Sequence, residues 1–192
     1  ICTFKPATAV TAAVNIADQI PLLEEILTVW KEVIGPEYNG YRNHVYRVIH
    51  FCLALKAGNQ AEREKIIIAG VFHDIGIWIK DTVDYIPPSL PPATEYLKSR
   101  NLPDWSAEIE LMITEHHKIR PYRDKTYPLV EVFRQGDLVD FSLGLFKFGI
   151  PEGYIEDVGI RFPNAGFHKS LGKRAVKWFI RHPLNPLPMV KW

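Results

Sequence analysis

The chain has 192 residues and a mass of 22.1 kDa, with 47% hydrophobic and 23% charged residues. A chain of this size buries about 70% of its unfolded surface, and this composition excludes a disordered chain, a collagen and a coiled coil. Its 23 basic and 22 acidic residues leave a net charge of +1, without the strongly basic balance of a dedicated binder of nucleic-acid polymers.

The N-terminal stretch ICTFKPATAVTAAVNIADQ carries Lys5 but no compact apolar run, an expectation against a signal peptide. No window approaches the roughly 18 consecutive apolar residues that a membrane span needs. Helical spacing then dominates. Leu23, Ile26, Leu27, Trp30 and Ile34 form a first stripe, with Pro21 in its opening turn and Gly35-Pro36 as its stop. Tyr41, His44, Val45, Val48, Cys52 and Leu55 form a second stripe, closed by Gly58-Asn59. Ile66, Ala69, Gly70, His73 and Ile77 form a third.

Residues 81–92, DTVDYIPPSLPP, predict an ordered loop, because four prolines remove donors and Tyr85, Ile86 and Leu90 anchor it. Helix resumes at Ala93–Arg100. Asp104 is the expected N-cap of a helix carrying Ile109, Met112, Ile113 and His116. The basic connection KIRPYRDKTYP leads to a helix over Leu129–Leu145, a short helix after Pro151 and a last one over Ala165–Ile180. The tail HPLNPLPMVKW is Pro-rich and extended. The fold class is all-α, a single domain over 1–192 with about seven or eight helices. Its motif-bearing core spans about 37–147, and 151–192 add C-terminal helices and the tail.

Chemistry concentrates in the histidines, at 44, 50, 73, 116, 117, 168 and 182. Cys2 and Cys52 are the only cysteines and form no CxxC pair. They suit a reducing, cytoplasmic setting, and any metal site must use imidazoles and carboxylates. Three apolar stripes hold polar residues that a core would not choose: His44, then His73-Asp74, then Asp137 and Asp140. An unpaired buried carboxylate is expensive, so a shared cation accounts for the set better than separate excuses. Read singly, each is a hydrogen-bonded core residue; together they suggest a metal site.

The ordered set resembles the HD superfamily of metal-dependent phosphohydrolases. The matching segments are YRNHVYRV, AGVFHDIG, PATEYLKSRNLPDWSAEIELMITEHH and RQGDLVD, which together cover about residues 41–141. The resemblance implies an all-α HD-like bundle with His44, His73, Asp74 and Asp137 as metal ligands, and Asp140 as the register alternative one turn on. Members holding two metals add a histidine near the position of Ser89, which is absent here, and another matched by His116 or His117. One divalent transition metal, Zn, Mn, Ni, Co or Fe, is therefore expected. Ile77 stands where nucleotidase-like members carry an acid/base Glu.

Such an ion lowers the pKa of bound water and polarises a phosphoryl oxygen. The expected function is a cytoplasmic metal-dependent hydrolase of a small phosphate-containing molecule, a nucleotide or another phosphoester. A cyanamide-hydratase-like HD enzyme, a di-iron oxygenase and a non-enzymatic metal-stabilised regulatory module are the alternatives. His116 or His117 would shuttle a proton, with Asp81 and Glu115 as fallbacks. Arg47 would hold a phosphate oxygen or pair with Asp137 or Asp140. Lys80, Lys118, Arg120 and Arg123 would form a basic rim. Tyr85 and Ser89 would touch the ligand, with packing as the other role for Tyr85. The basic, Trp178-bearing C-terminal helix docks on the bundle, lies on a membrane surface, or joins Trp192 in a homodimer interface.

Overall fold

The computed structural model describes residues 15–191. Cys2 and the N-terminal stretch read above for a signal peptide lie wholly or mostly outside the described residues, as does Trp192. The architecture is all-α. Among the described residues eight helices have eight or more residues, two are shorter, and there is no strand beyond an isolated bridge between Lys118 and Lys191.

Helix α1 (Pro21–Thr28) opens on proline at its first position, where a missing N–H costs nothing, and buries Leu23, Ile26 and Leu27. The first stripe is not one helix. It breaks at Val29-Trp30 before the short α2 (Lys31–Ile34), and Gly35 at φ 64° turns the chain into a 3-10 turn over Gly35–Glu37. Helix α3 (Tyr38–Leu55) is the spine of the molecule, with twelve of its residues buried. Helix α4 (Gln60–Phe72) starts with a capping box: Glu62 N–H donates to Asn59 Oδ1 (3.0 Å) and Asn59 N–H to Glu62 Oε2 (2.9 Å).

The third stripe also departs from one continuous helix. Helix α4 stops at Phe72, His73–Ile75 form a turn, and α5 (Gly76–Lys80) follows, ending on Asp81 in the left-handed region. Helix α6 (Ile86–Ser99) corrects the expectation of a loop over 81–92. Pro87 and Pro88 occupy its first turn, where no intrahelical donor is needed. Pro91 and Pro92 do remove interior donors. Within the same stretch the buried Ser89 hydroxyl donates to the Tyr85 carbonyl (2.8 Å) and accepts from Gly76 N–H (2.9 Å). Helix α7 (Ser106–Glu115) lacks the expected Asp104 cap, because Asp104 lies inside a preceding 3-10 turn, Pro103–Trp105. Helices α8 (Pro128–Phe141), α9 (Glu152–Arg161) and α10 (Phe167–Arg181) complete the fold.

Two glycines set the close approaches that matter for function. A Cβ on Gly136 would lie 2.4 Å from Cys52 Sγ and 3.2 Å from the Val48 carbonyl, so α8 can lie this close to α3 only with glycine there. That contact brings Asp137 and Asp140 beside His44 and Arg47. A Cβ on Gly76 would lie 2.2 Å from the Tyr85 carbonyl, so α5 meets the start of α6 in the same way. By contrast, α10 buries only Phe167, and Val176, Phe179 and Ile180 stay more than half exposed. No described helix is long and apolar enough to cross a membrane.

Candidate metal centre

Four elements deliver the polar cluster. Helix α3 supplies His44 and Arg47, the turn after α4 supplies His73 and Asp74, the end of α7 supplies His116 and His117, and α8 supplies Asp137 and Asp140. All are buried except His117, which is partly so. The α4–α5 break answers a geometric problem. Adjacent residues on a straight helix diverge by about 100°, whereas the turn lets His73 and Asp74 face one point.

Two imidazole nitrogens meet there, with a carboxylate oxygen of Asp74 and one of Asp137 near both. His44 Nε2 lies 3.0 Å from His73 Nε2, 3.5 Å from Asp74 Oδ2 and 3.7 Å from Asp137 Oδ1. His73 Nε2 lies 3.4 Å from Asp74 Oδ2 and 3.6 Å from Asp137 Oδ1. Donors each about 2.1 Å from one ion, spread at tetrahedral or right angles, lie roughly 3.0–3.5 Å apart. The cluster could therefore hold a metal ion at its centre.

The other ring nitrogens orient the imidazoles. His73 Nδ1–H donates to the Gly70 carbonyl (2.7 Å), which can only accept, so Nε2 keeps its lone pair toward the cluster. His116 Nδ1–H does the same with the Ile113 carbonyl (2.7 Å). His44 Nδ1–H donates to Asp140 Oδ2 (2.6 Å), while Arg47 grips Asp140 from Nε (2.5 Å) and Nη2 (2.9 Å) and donates to the Phe162 carbonyl from Nη1 (2.9 Å). Phe167 stacks on His44 with ring centroids 4.3 Å apart. Asp140 thus stands behind His44, and Asp137 is the α8 carboxylate that faces the centre. Arg47 is the partner of Asp140, one of the two roles its position allowed.

A second grouping adjoins the first. His116 Nε2 lies 3.4 Å from Asp74 Oδ1, and His117 Nδ1 lies 3.8 Å from Asp137 Oδ2. Asp74 Oδ1, Asp137 Oδ2 and His116 Nε2 are buried without a hydrogen-bond partner in the structure. Three overlapping sets have ligand atoms close enough to share an ion: His44, His73 and Asp137; His73, Asp74 and His116; His116, His117 and Asp137. Sequence reading placed His116 and His117 as proton carriers; His116 is placed here as a donor like His73.

The electrostatics suit a cation. Burial pushes Asp74 and Asp137 up, but the surrounding imidazoles overcome this and hold both below the usual carboxylate range, Asp74 well below it. Arg47 balances Asp140, leaving two inward negative charges that a divalent ion would match. Burial disfavours the His44 imidazolium, yet Asp140 and Asp74 outweigh it and raise its pKa to about 9 in the metal-free protein. Burial and the neighbouring His116 charge hold His117 down at about 3, so it stays neutral. Its Nε2 meets the Tyr85 hydroxyl at 2.5 Å.

A cavity of about 770 Å³ opens onto His116, His117 and Asp137, and Tyr85 and Lys118 line it. Ser89, expected at the ligand, instead clamps α5 to α6. Lys80 is exposed at the end of α5, and Arg120 is exposed in the α7–α8 connection; neither lines this cavity. Spacing gave no reason to single out His168, yet its Nε2 lies 3.1 Å from the Asp140 carbonyl and it lines the cavity. It sits in the first turn of an ordinary amphipathic helix, without a motif, so no sequence signal marked it. Searches of protein-family models, curated proteins and solved structures return no match to this chain.

Proposed function

We propose that the chain is an HD-type metal-dependent hydrolase acting on a small phosphate-containing molecule, with His44, His73, Asp74 and Asp137 holding one divalent transition metal. The observation that carries this reading is a pair of buried imidazole nitrogens 3.0 Å apart, with carboxylate oxygens of Asp74 and Asp137 each 3.4–3.7 Å from both, beside a cavity large enough for a substrate. The ion supplies Lewis acidity and lowers the pKa of a bound water. His44 and His73 present oriented nitrogens, and Asp140 with Arg47 keeps His44 in its tautomer. His117, neutral and held by Tyr85 at the cavity wall, would relay a proton, one ring nitrogen accepting it as the other releases one toward Tyr85. A cytoplasmic setting goes with this reading, and the buried Cys52 is a free thiol.

A two-ion site is the second reading, favoured by the unpartnered Asp74 Oδ1, Asp137 Oδ2 and His116 Nε2. Elemental analysis of gently purified protein tests both: one ion per chain for the first, two for the second. Asp74→Ala, which removes a shared ligand, should lose the metal in either case. A variant with full metal content would overturn the site, and a metal-loaded wild type inert toward a panel of phosphomonoesters and phosphodiesters would overturn the hydrolase.

A further inference from the structure

The cavity beside the cluster is not built for a highly charged ligand. One end is polar, at His116, His117 and Asp137. The walls are apolar: Leu138 and Phe141 of α8, Phe148 just beyond it, Leu171 of α10, and Met189 and Val190 of the tail. The two cations on its wall are already engaged, Lys118 with Glu115 (3.5 Å) and Arg134 with Glu131 (2.7 Å). A polyphosphate would need several cations facing it, and these walls face it with carbon. The volume of about 770 Å³ lies within the range of small-molecule sites.

The tail completes the enclosure. Ile119 N–H donates to the Lys191 carbonyl (2.8 Å), and Lys191 Nζ pairs with Glu115 (2.9 Å), which seats Met189 and Val190 against the opening. A chamber with one polar end at the metal donors and apolar sides selects a ligand of the same pattern.

We propose that the substrate is an amphiphile, a single small polar head such as a monophosphate on an alkyl or aryl body, with the head at the cluster and the body in this chamber. This deepens the hydrolase reading and rests on it for the position of the head. The test is calorimetric binding of n-alkyl phosphates from methyl to octyl, kept below self-association, with adenosine monophosphate for comparison. Titrations are run on metal-loaded and on chelator-treated protein. Affinity should rise roughly three- to fourfold per added methylene in both forms, from a weaker starting point in the chelator-treated protein, where the head meets the Asp137 carboxylate without an ion between them. Ala175→Trp, which fills the chamber from α10, should flatten that dependence, and Phe148→Ser, at a half-exposed position, should weaken it while leaving the melting temperature near wild type.

Affinity independent of chain length, equal or tighter binding of adenosine monophosphate, or no binding by any alkyl phosphate would overturn the proposal. The metal reading fails separately. A chain-length dependence in a protein that never carries metal keeps the chamber and removes the metal site. Stoichiometric metal with a flat series does the reverse.

Discussion

The cluster has two sides built on opposite principles. On the α3 side, around His44, the carboxylate is answered: Asp140 takes His44 Nδ1 and two Arg47 donors, and Arg47 donates also to the Phe162 carbonyl. On the α7 side Asp74 Oδ1, Asp137 Oδ2 and His116 Nε2 are buried without a hydrogen bond, facing one another and His117 only at 3.4–3.8 Å. Buried polar groups are normally satisfied, and those that are not mark where something else binds. The closed side is positioning machinery, and the open side presents donor atoms not committed to other hydrogen bonds. Asp137 and Asp140, one turn apart on one helix, fall on either side of that divide.

The contrast is broken most directly at those two aspartates. Asp140→Ala strands a buried guanidinium, which should cost about 3–5 kcal/mol in chemical denaturation of the metal-free protein. Asp137→Asn keeps the shape and removes a charge that faces imidazoles at 3.6–3.8 Å rather than a hydrogen-bonded guanidinium. It should stay within about 1 kcal/mol of wild type when metal-free and yet lose the ion. Equal destabilisation by the two variants would show that both carboxylates are structural.

Much of this was open to sequence reading, for physical reasons. The 3.6-residue stripes reported the helices because burial enforces that period, and the polar residues interrupting them were conspicuous. Four of those, His44, His73, Asp74 and Asp137, lie close together in a buried cluster. Which α8 aspartate faces inward was not legible from spacing, since both lie on the inner face; only the resemblance favoured Asp137, and the packing of Gly136 against Cys52 sets the rotation. Helix α6 was hidden because Pro91 and Pro92 argue against helix, whereas the packing of this stretch against α5 and α7 outweighs two lost bonds. The chamber was invisible because its walls come from α8, α10 and the tail, stretches with no motif and far apart in the chain.

A middle-sized effect comes from pH. In the metal-free protein Asp140 and Asp74 raise His44 above its unfolded value, to about 9. Its stabilising contribution is therefore complete below the unfolded pKa near 6.5 and disappears as pH rises through about 9. An ion taking His44 Nε2 must displace that proton. Apparent Zn²⁺ affinity, read by chelator competition, should climb about tenfold per pH unit above neutrality and level off near the His44 pKa. Asp140→Asn removes the carboxylate behind His44 and should move the plateau toward lower pH. A plateau unmoved by that change would mean that the closed side does not control the ligand.

The smallest effect is expected at the edge of the open side. Tyr85 is fully buried, and its hydroxyl meets His117 Nε2 at 2.5 Å. Tyr85→Phe keeps the ring that fills the space and removes that one hydrogen bond, so about 0.5–1.5 kcal/mol should be lost. For a chain of this length that corresponds to a fall of roughly 1–6 °C in melting temperature. Metal content should change little, because the Tyr85 hydroxyl interacts with Asp74 but is not itself one of the donor atoms around the centre. The turnover of a phosphoester should fall, because His117 loses the contact that aims it along the cavity wall. A variant that loses metal as well would place Tyr85 and His117 among the supports of the ion, and the open side would then be no more tolerant than the closed one.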